Sequence, residues 1–214
     1  HYDIQRKRTF ADSVRAFKLE EEMGVPSYWI DKAASAIKYG VYGFGILSIF
    51  GNRSQKRFLS VADLFEIVPL WKNEIKLLSS SIEGGQNDIT KIIWTAKVFS
   101  VALITAYYQP EKATDFWRNV AIDDGLGIGD PQKTLGKYLP KTKSSIRNAE
   151  PISPDIVTRS VTYCWNAYYE DRFLSRIAVK ESSRSQPLII AGTPYSGNQS
   201  LTFWPTRNQD RMAA

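Results

Sequence analysis

Histidine and cysteine are nearly missing from this chain. One of each occurs, His1 at the start and Cys164 in the second half. A single cysteine excludes an intramolecular disulfide framework, and together with one terminal histidine it excludes a conventional Cys/His zinc site. Ser-His-Asp or Cys-His catalysis would have to recruit His1, so that chemistry is not expected. A secretory signal is missing too: the opening HYDIQRKR is polar and cationic, and no apolar core follows it. Cytoplasmic location is the default expectation. The chain starts with His and not Met, so a fragment, a processed product and a chain without its leading residues all stay open. There is no internal repeat of fixed period and no extended low-complexity segment. Acid is in deficit, with 28 Lys and Arg against 22 Asp and Glu and a net charge of +6. That balance favours an anionic partner such as nucleic acid, although many basic proteins bind none.

An unbroken apolar run long enough for a membrane span, about 18 residues, is also lacking. The nearest approach is Asp88 to Tyr107, which Lys91, Lys97, Thr90, Thr95, Ser100 and Thr105 interrupt. This stretch organises the chain. Ile89, Ile92, Ala96, Phe99, Leu103 and Ala106 recur at helical steps, and Trp94, Val98, Val101 and Ile104 form a second apolar face. A helix apolar on most sides is buried on most sides. The pattern predicts one central helix over 88–107, about 30 Å long, with Asp88 as N-cap and Pro110 beyond its end. The fold class expected is all-α, a helical bundle around that helix, with a helical domain over 1–181 and an irregular C-terminal tail over 182–214.

Around it the chain reads as a series of amphipathic helices. Thr9 is a candidate N-cap with Asp12 in the capping-box position, Phe10, Val14 and Phe17 form a stripe, and Gly24 ends that helix. A second helix from Pro26 or Ser27 buries Trp29, Ile30, Ala33, Ala34 and Ile37. The pair admits a helix-turn-helix reading, but helical hairpins are common in any bundle. Residues 39–51 are aromatic and glycine-rich. Gly43 and Gly45 could let a backbone approach a phosphate, or could serve close helix packing. Ser60 with Asp63 caps the next helix, and Trp71, Ile75, Leu78 and Ile82 continue its apolar side past Pro69. SSSIEGGQND, 79–88, reads as a loop. Pro110 opens a helix with Phe116, Trp117 and Val120 inward. DDGLGIGDP, 123–131, reads as a structured turn, and lacks the spacing of a dinucleotide fingerprint. The last strong helix, Ile156 to Phe173, carries Val157, Val161, Cys164, Trp165 and Tyr168 on one face. Cys164 there behaves as a small buried hydrophobe, and Asn166 bonds either a neighbouring backbone group or a ligand. Leu188 to Ala191 is a candidate strand.

The densest stretch of one charge sign is 131–149, with Lys133, Lys137, Lys141, Lys143 and Arg147 and no acid. Lys133, Lys137 and Lys141 share a helix face if Pro140 does not break it first. With Arg6, Lys7 and Arg8 they are the candidate phosphate contacts; a solvated lysine face is the alternative.

Four stretches in this order resemble the C-terminal helical region of ParB-like proteins carried by phages and plasmids: RKRTFAD at 6–12, YYQPEKATDFWRNVA at 107–121, GDPQKTLGKYL at 129–139 and VTYCWNAYYEDR at 161–172. In that family the region follows an N-terminal ParB/sulfiredoxin-type domain. The resemblance implies association with DNA, or with a replication, partition or host-takeover machine, in a bacterial cell. It carries over no catalysis: the family's Gly-Gln-His-Arg-type motif has no counterpart here, since the only histidine is His1.

The expectation is a non-catalytic DNA-associated domain that binds the phosphate backbone with little sequence specificity. It needs no cofactor and no metal. The alternative is a protein-interaction, assembly or inhibitory module of a phage or plasmid, or a homo-oligomer. Its support is six Trp and eleven Tyr, and it predicts an exposed aromatic patch near Tyr195, Phe203 and Trp204. An enzyme would need Asp123, Asp124 and Asp130 to hold a metal, or Glu170 and Asp171 to act as acid and base. No spacing supports either.

Overall fold

The stretch that reads as one long helix is two. The computed structural model describes residues 10, 12, 18–38, 59–123, 125–142, 152–180 and 186–195. Its elements are α1 (Leu19–Met23), α2 (Ser27–Ala36), α3 (Val61–Ile67), a 3-10 turn (Val68–Trp71), α4 (Lys72–Ile82), α5 (Asn87–Ile93), α6 (Ala96–Tyr108), α7 (Pro110–Ile122), α8 (Pro131–Thr142), α9 (Pro154–Tyr169), β1 (Ile189–Ile190) and β2 (Thr193–Pro194). The fold is an all-α bundle with one small hairpin near the end of the chain.

The break falls at Trp94 and Thr95. Trp94 ends α5, and Thr95 is extended, with φ −70° and ψ 145°. The Thr95 hydroxyl donates to the Ile92 carbonyl at 2.8 Å, and the Thr95 N–H reaches the same oxygen at 3.0 Å. A short polar side chain that bonds the preceding turn competes with continued helix. The bend seats Trp94 against Trp29 of α2, with centroids 3.7 Å apart, and against Phe99 at 4.2 Å. The expected rod becomes pieces of about 10 and 20 Å. Asp88 is not the cap; Gln86 holds that position and Asp88 lies in the first turn of α5.

α6 keeps the central role. Every residue from Val98 to Ala106 is buried, and α2, α4, α7 and α9 pack around it. A cross-helix polar tie within the core is Thr105, which accepts the Trp117 indole N–H from α7 at 3.0 Å and donates to the Ala102 carbonyl.

Local signals set most of the remaining boundaries. Ser60 and Asp63 form a reciprocal capping box at the start of α3. Gly24 ends α1 in the left-handed region, with its N–H on the Glu20 carbonyl at 2.8 Å. Pro69 is the second residue of the 3-10 turn, and beyond it Trp71, Ile75, Leu78 and Ile82 are buried, as their spacing predicts. Pro110 is the first residue of α7, where Phe116, Trp117 and Val120 are buried. The expected loop at 79–88 is shorter, because α4 runs on to Ile82. A Cβ on Gly85 would stand 2.8 Å from the Ala121 Cβ. The α4–α5 turn therefore lies directly on α7, tied by Gln86 N–H to the Ala121 carbonyl at 2.9 Å. The candidate cap Thr9, the stripe residues Val14 and Phe17, and the glycine-rich 39–51 lie outside the described residues.

The last helix stops at Tyr169 and not at Phe173. Beyond it the strand expected near Leu188 to Ala191 is present as β1, paired antiparallel with β2. Leu188, Ile190 and Tyr195 are buried. Asn166 and Trp165 of α9 hold β1 by its backbone. Tyr195 is only 3% exposed and packs toward Tyr108. The predicted exposed aromatic patch is therefore corrected at Tyr195, whose ring faces the core; Phe203 and Trp204 lie outside the described residues.

Candidate nucleic-acid interface

α8 carries the predicted basic face, and the chain enters it through a tight turn. The Asp130 carboxylate accepts the Gly127 N–H at 2.6 Å, Gly129 takes φ +100°, and Pro131 begins the helix. Pro140 lies inside α8, and only Lys141 and Thr142 follow it. The hydrogen bond that proline removes therefore falls in the last turn, where little helix remains to lose.

The three lysines spaced by four do different things. Lys133 donates to the Leu126 carbonyl at 2.7 Å and stands 3.8 Å from Asp123. The latter is a Coulombic approach and not a hydrogen bond, since Asp123 Oδ1 is buried with no hydrogen-bond partner among the described residues. Lys133 is thus a tie across the turn and not a free cation. Lys137 and Lys141 are exposed, with no partner among the described residues. α8 has no acidic residue to neutralise them. Arg6, Lys7, Arg8, Lys143 and Arg147 lie outside the described residues.

Beside the start of α8 is a cavity of about 400 Å³. One wall is the turn and the first residues of α8, including Gly129 and Gln132. The other is the end of α9 and the chain after it, including Tyr168, Arg172 and Phe173. Two hydrogen bonds fix the two walls to each other. Leu174 N–H donates to the Gly129 carbonyl at 2.7 Å, and the Thr134 hydroxyl donates to the Leu174 carbonyl at 2.6 Å. The Phe173 ring lies so close over Gly129 that a Cβ there would come within 1.8 Å of it. Yet Phe173 is 72% exposed, and Ile128, next to Gly129 in the chain, is 85% exposed. Gln132 is 5% exposed, and its side-chain amide has no hydrogen-bond partner among the described residues. Burial and the hydrogen bond it donates to Asp115, 2.7 Å long, both push the Tyr168 hydroxyl above its ordinary pKa. Gln132, Arg172 and Phe173 were not foreseen as site residues, because they meet only through contacts about forty residues apart in the chain.

The other candidates resolve into structure. Among the described residues no group of three His, Cys, Asp or Glu is placed to hold a metal ion. Asp130 is engaged by Gly127, Glu170 pairs with Arg172, and Asp124 lies outside the described residues. α2, the second helix of the possible helix-turn-helix, buries Ile30, Ala33, Ala34 and Ala36 and stacks Trp29 on Trp94. Asn166 bonds backbone, and Cys164 is a buried free thiol whose pKa burial raises. No described helix is long and apolar enough to cross a membrane. Comparison with protein-family models, with curated proteins and with solved structures returned no match.

Proposed function

We propose that the chain is a non-catalytic, DNA-associated helical domain that holds the phosphate backbone through α8. The observation that carries this reading is Lys137 with Lys141: two exposed cations, without a partner among the described residues, four residues apart on a helix without acid. Lys133 leaves the contact set because its ammonium is held by the Leu126 carbonyl. Phosphate contacts position a protein without reading bases, so sequence specificity is weak. The ParB-like resemblance agrees with this reading and adds a phage- or plasmid-borne protein acting in the bacterial cytoplasm.

Reversing both cations in Lys137→Glu/Lys141→Glu is expected to weaken duplex binding by about tenfold or more at low salt. It should also lower the slope of log K against log salt by about 1.8, at roughly 0.9 per lost contact. Fluorescence anisotropy over a salt series measures both. An unchanged slope removes α8 from the interface. Lys133→Gln is the control: it should alter stability and leave the slope alone.

A second reading, a protein-interaction or assembly module, draws on the exposed side chains of Ile128 and Phe173. Tyr195 no longer contributes to it.

A further inference from the structure

We propose that the cavity between the start of α8 and the end of α9 receives a single unstacked nucleobase, so that the domain prefers single-stranded nucleic acid to duplex. This rests on the nucleic-acid reading above and gives it a substrate class.

The chemistry of the walls selects the occupant. At about 400 Å³, the space falls in the range of small-ligand sites. Asp130 and Asp171 both line it, and two carboxylates reject a phosphate. Gln132 and Phe173, which also line it, suit a flat group with both donors and acceptors on its edge. Gln132 matches such an edge, because a carboxamide offers two N–H donors and a carbonyl acceptor side by side. Little of the residue is exposed, but its amide has no partner among the described residues and is accessible at the cavity wall. Arg172 adds a donor, although Glu170 already takes its Nε–H. Asp171 adds an acceptor of the kind that pairs with exocyclic amino groups.

Stacking comes from Phe173. An aromatic side chain that is 72% exposed, yet held in place over Gly129, is a platform for a base face. Single-stranded nucleic acids are bound in this way, by aromatic stacking beside a cationic track. A duplex cannot use the cavity without extruding a base. The cations are on the same helix but another face: Lys137 and Lys141 lie about 8 and 14 Å along the α8 axis from Gln132 and about 140° and 180° around it, so a strand seated in the cavity must cross α8 to reach them.

The experiment is anisotropy of the full chain with a labelled mixed-sequence single strand and the matching duplex, at about 50 and 200 mM salt. The wild type should bind the strand more tightly than the duplex. Phe173→Ala should lose between about 5- and 100-fold on the strand, with duplex affinity and salt slope unchanged. Phe173 is exposed, so this variant should fold, and circular dichroism checks that it does. Gln132→Leu keeps the side-chain volume, removes the amide, and should likewise weaken only the strand complex. If the wild type binds but both variants match it on the strand, the cavity proposal falls and the α8 reading stands. If the wild type binds neither nucleic acid at the lower salt, both fall. If Phe173→Ala instead disperses a self-associated species in size-exclusion chromatography and leaves strand binding intact, the exposed ring belongs to a protein interface and the cavity proposal is overturned.

Discussion

Asn166→Ala should lower stability by about 2–4 kcal/mol and release the hairpin from α9. Asn166 is 3% exposed. Its Nδ2 donates to the Pro187 carbonyl at 2.8 Å, and its Oδ1 accepts the Ile189 N–H at 2.8 Å. One side chain thus pairs with both a donor and an acceptor of the passing backbone, much as a neighbouring strand would. The adjacent Trp165 indole N–H adds a third bond, to the Ile189 carbonyl at 2.9 Å. Truncating Asn166 leaves an N–H and a C=O without partners, at about 1–3 kcal/mol each when both stay buried. The hairpin can lift and admit water, which limits the loss to the lower part of that range. Asn166→Asp should be nearly as harmful, because it keeps the acceptor but turns a carboxylate oxygen toward the Pro187 carbonyl. Urea unfolding gives the stability change, and faster hydrogen exchange at the Ile189 amide would locate it. An unchanged midpoint together with unchanged exchange would mean that these two bonds do not hold the hairpin.

Trp117→Ala should cost still more, about 3–5 kcal/mol, as is usual when a large aromatic side chain is removed from a core. The ring is completely buried and meets Phe116 edge-on at 5.1 Å. Its indole N–H has one partner, the Thr105 hydroxyl of α6. The loss therefore combines a cavity between α6 and α7 with a broken polar tie, and a short series separates the two. Thr105→Val alone leaves the indole N–H buried and unpaired, for about 1–3 kcal/mol. Adding Trp117→Phe to Thr105→Val removes the stranded donor, so the double variant should be more stable than the two single losses sum to. Strict additivity in chemical denaturation would show that the hydrogen bond contributes nothing to the α6–α7 contact.

These two sites also show where the sequence was legible. Phe116, Trp117 and Val120 announce a buried helix face through spacing alone, and Ser60, Gly24 and Pro110 mark ends through local backbone chemistry. The division at Thr95 leaves no such mark. Ile89, Ile92, Ala96 and Phe99 keep their helical steps across it, because a bend changes the direction of a buried face without changing which residues are apolar. The Thr95 hydroxyl could equally have pointed outward, and the bend seats Trp94 on Trp29, a residue far away in the chain. The tie that Lys133 makes across the turn is hidden for a similar reason. Charge spacing sees its ammonium but not the Leu126 carbonyl seven residues earlier. Tyr195 lies in a polar, Ser- and Gly-rich segment that reads as tail, and Asn166 and Trp165 on another element fasten that segment down. The cavity was invisible for the same cause. Gln132 sits in a stretch noted for its lysines and Phe173 at a helix end, and nothing joins them until Leu174 pairs with Gly129.

The measurement that most directly tests the central claim is wild-type binding to a labelled random-sequence DNA, as duplex and as single strand, at two salt concentrations. The account predicts binding at about 50 mM salt that weakens steeply by about 200 mM, as release of counterions from phosphates requires, with the single strand favoured. Absence of binding to either form at the lower salt would contradict it, and would turn the search for a partner to the exposed Ile128 and Phe173.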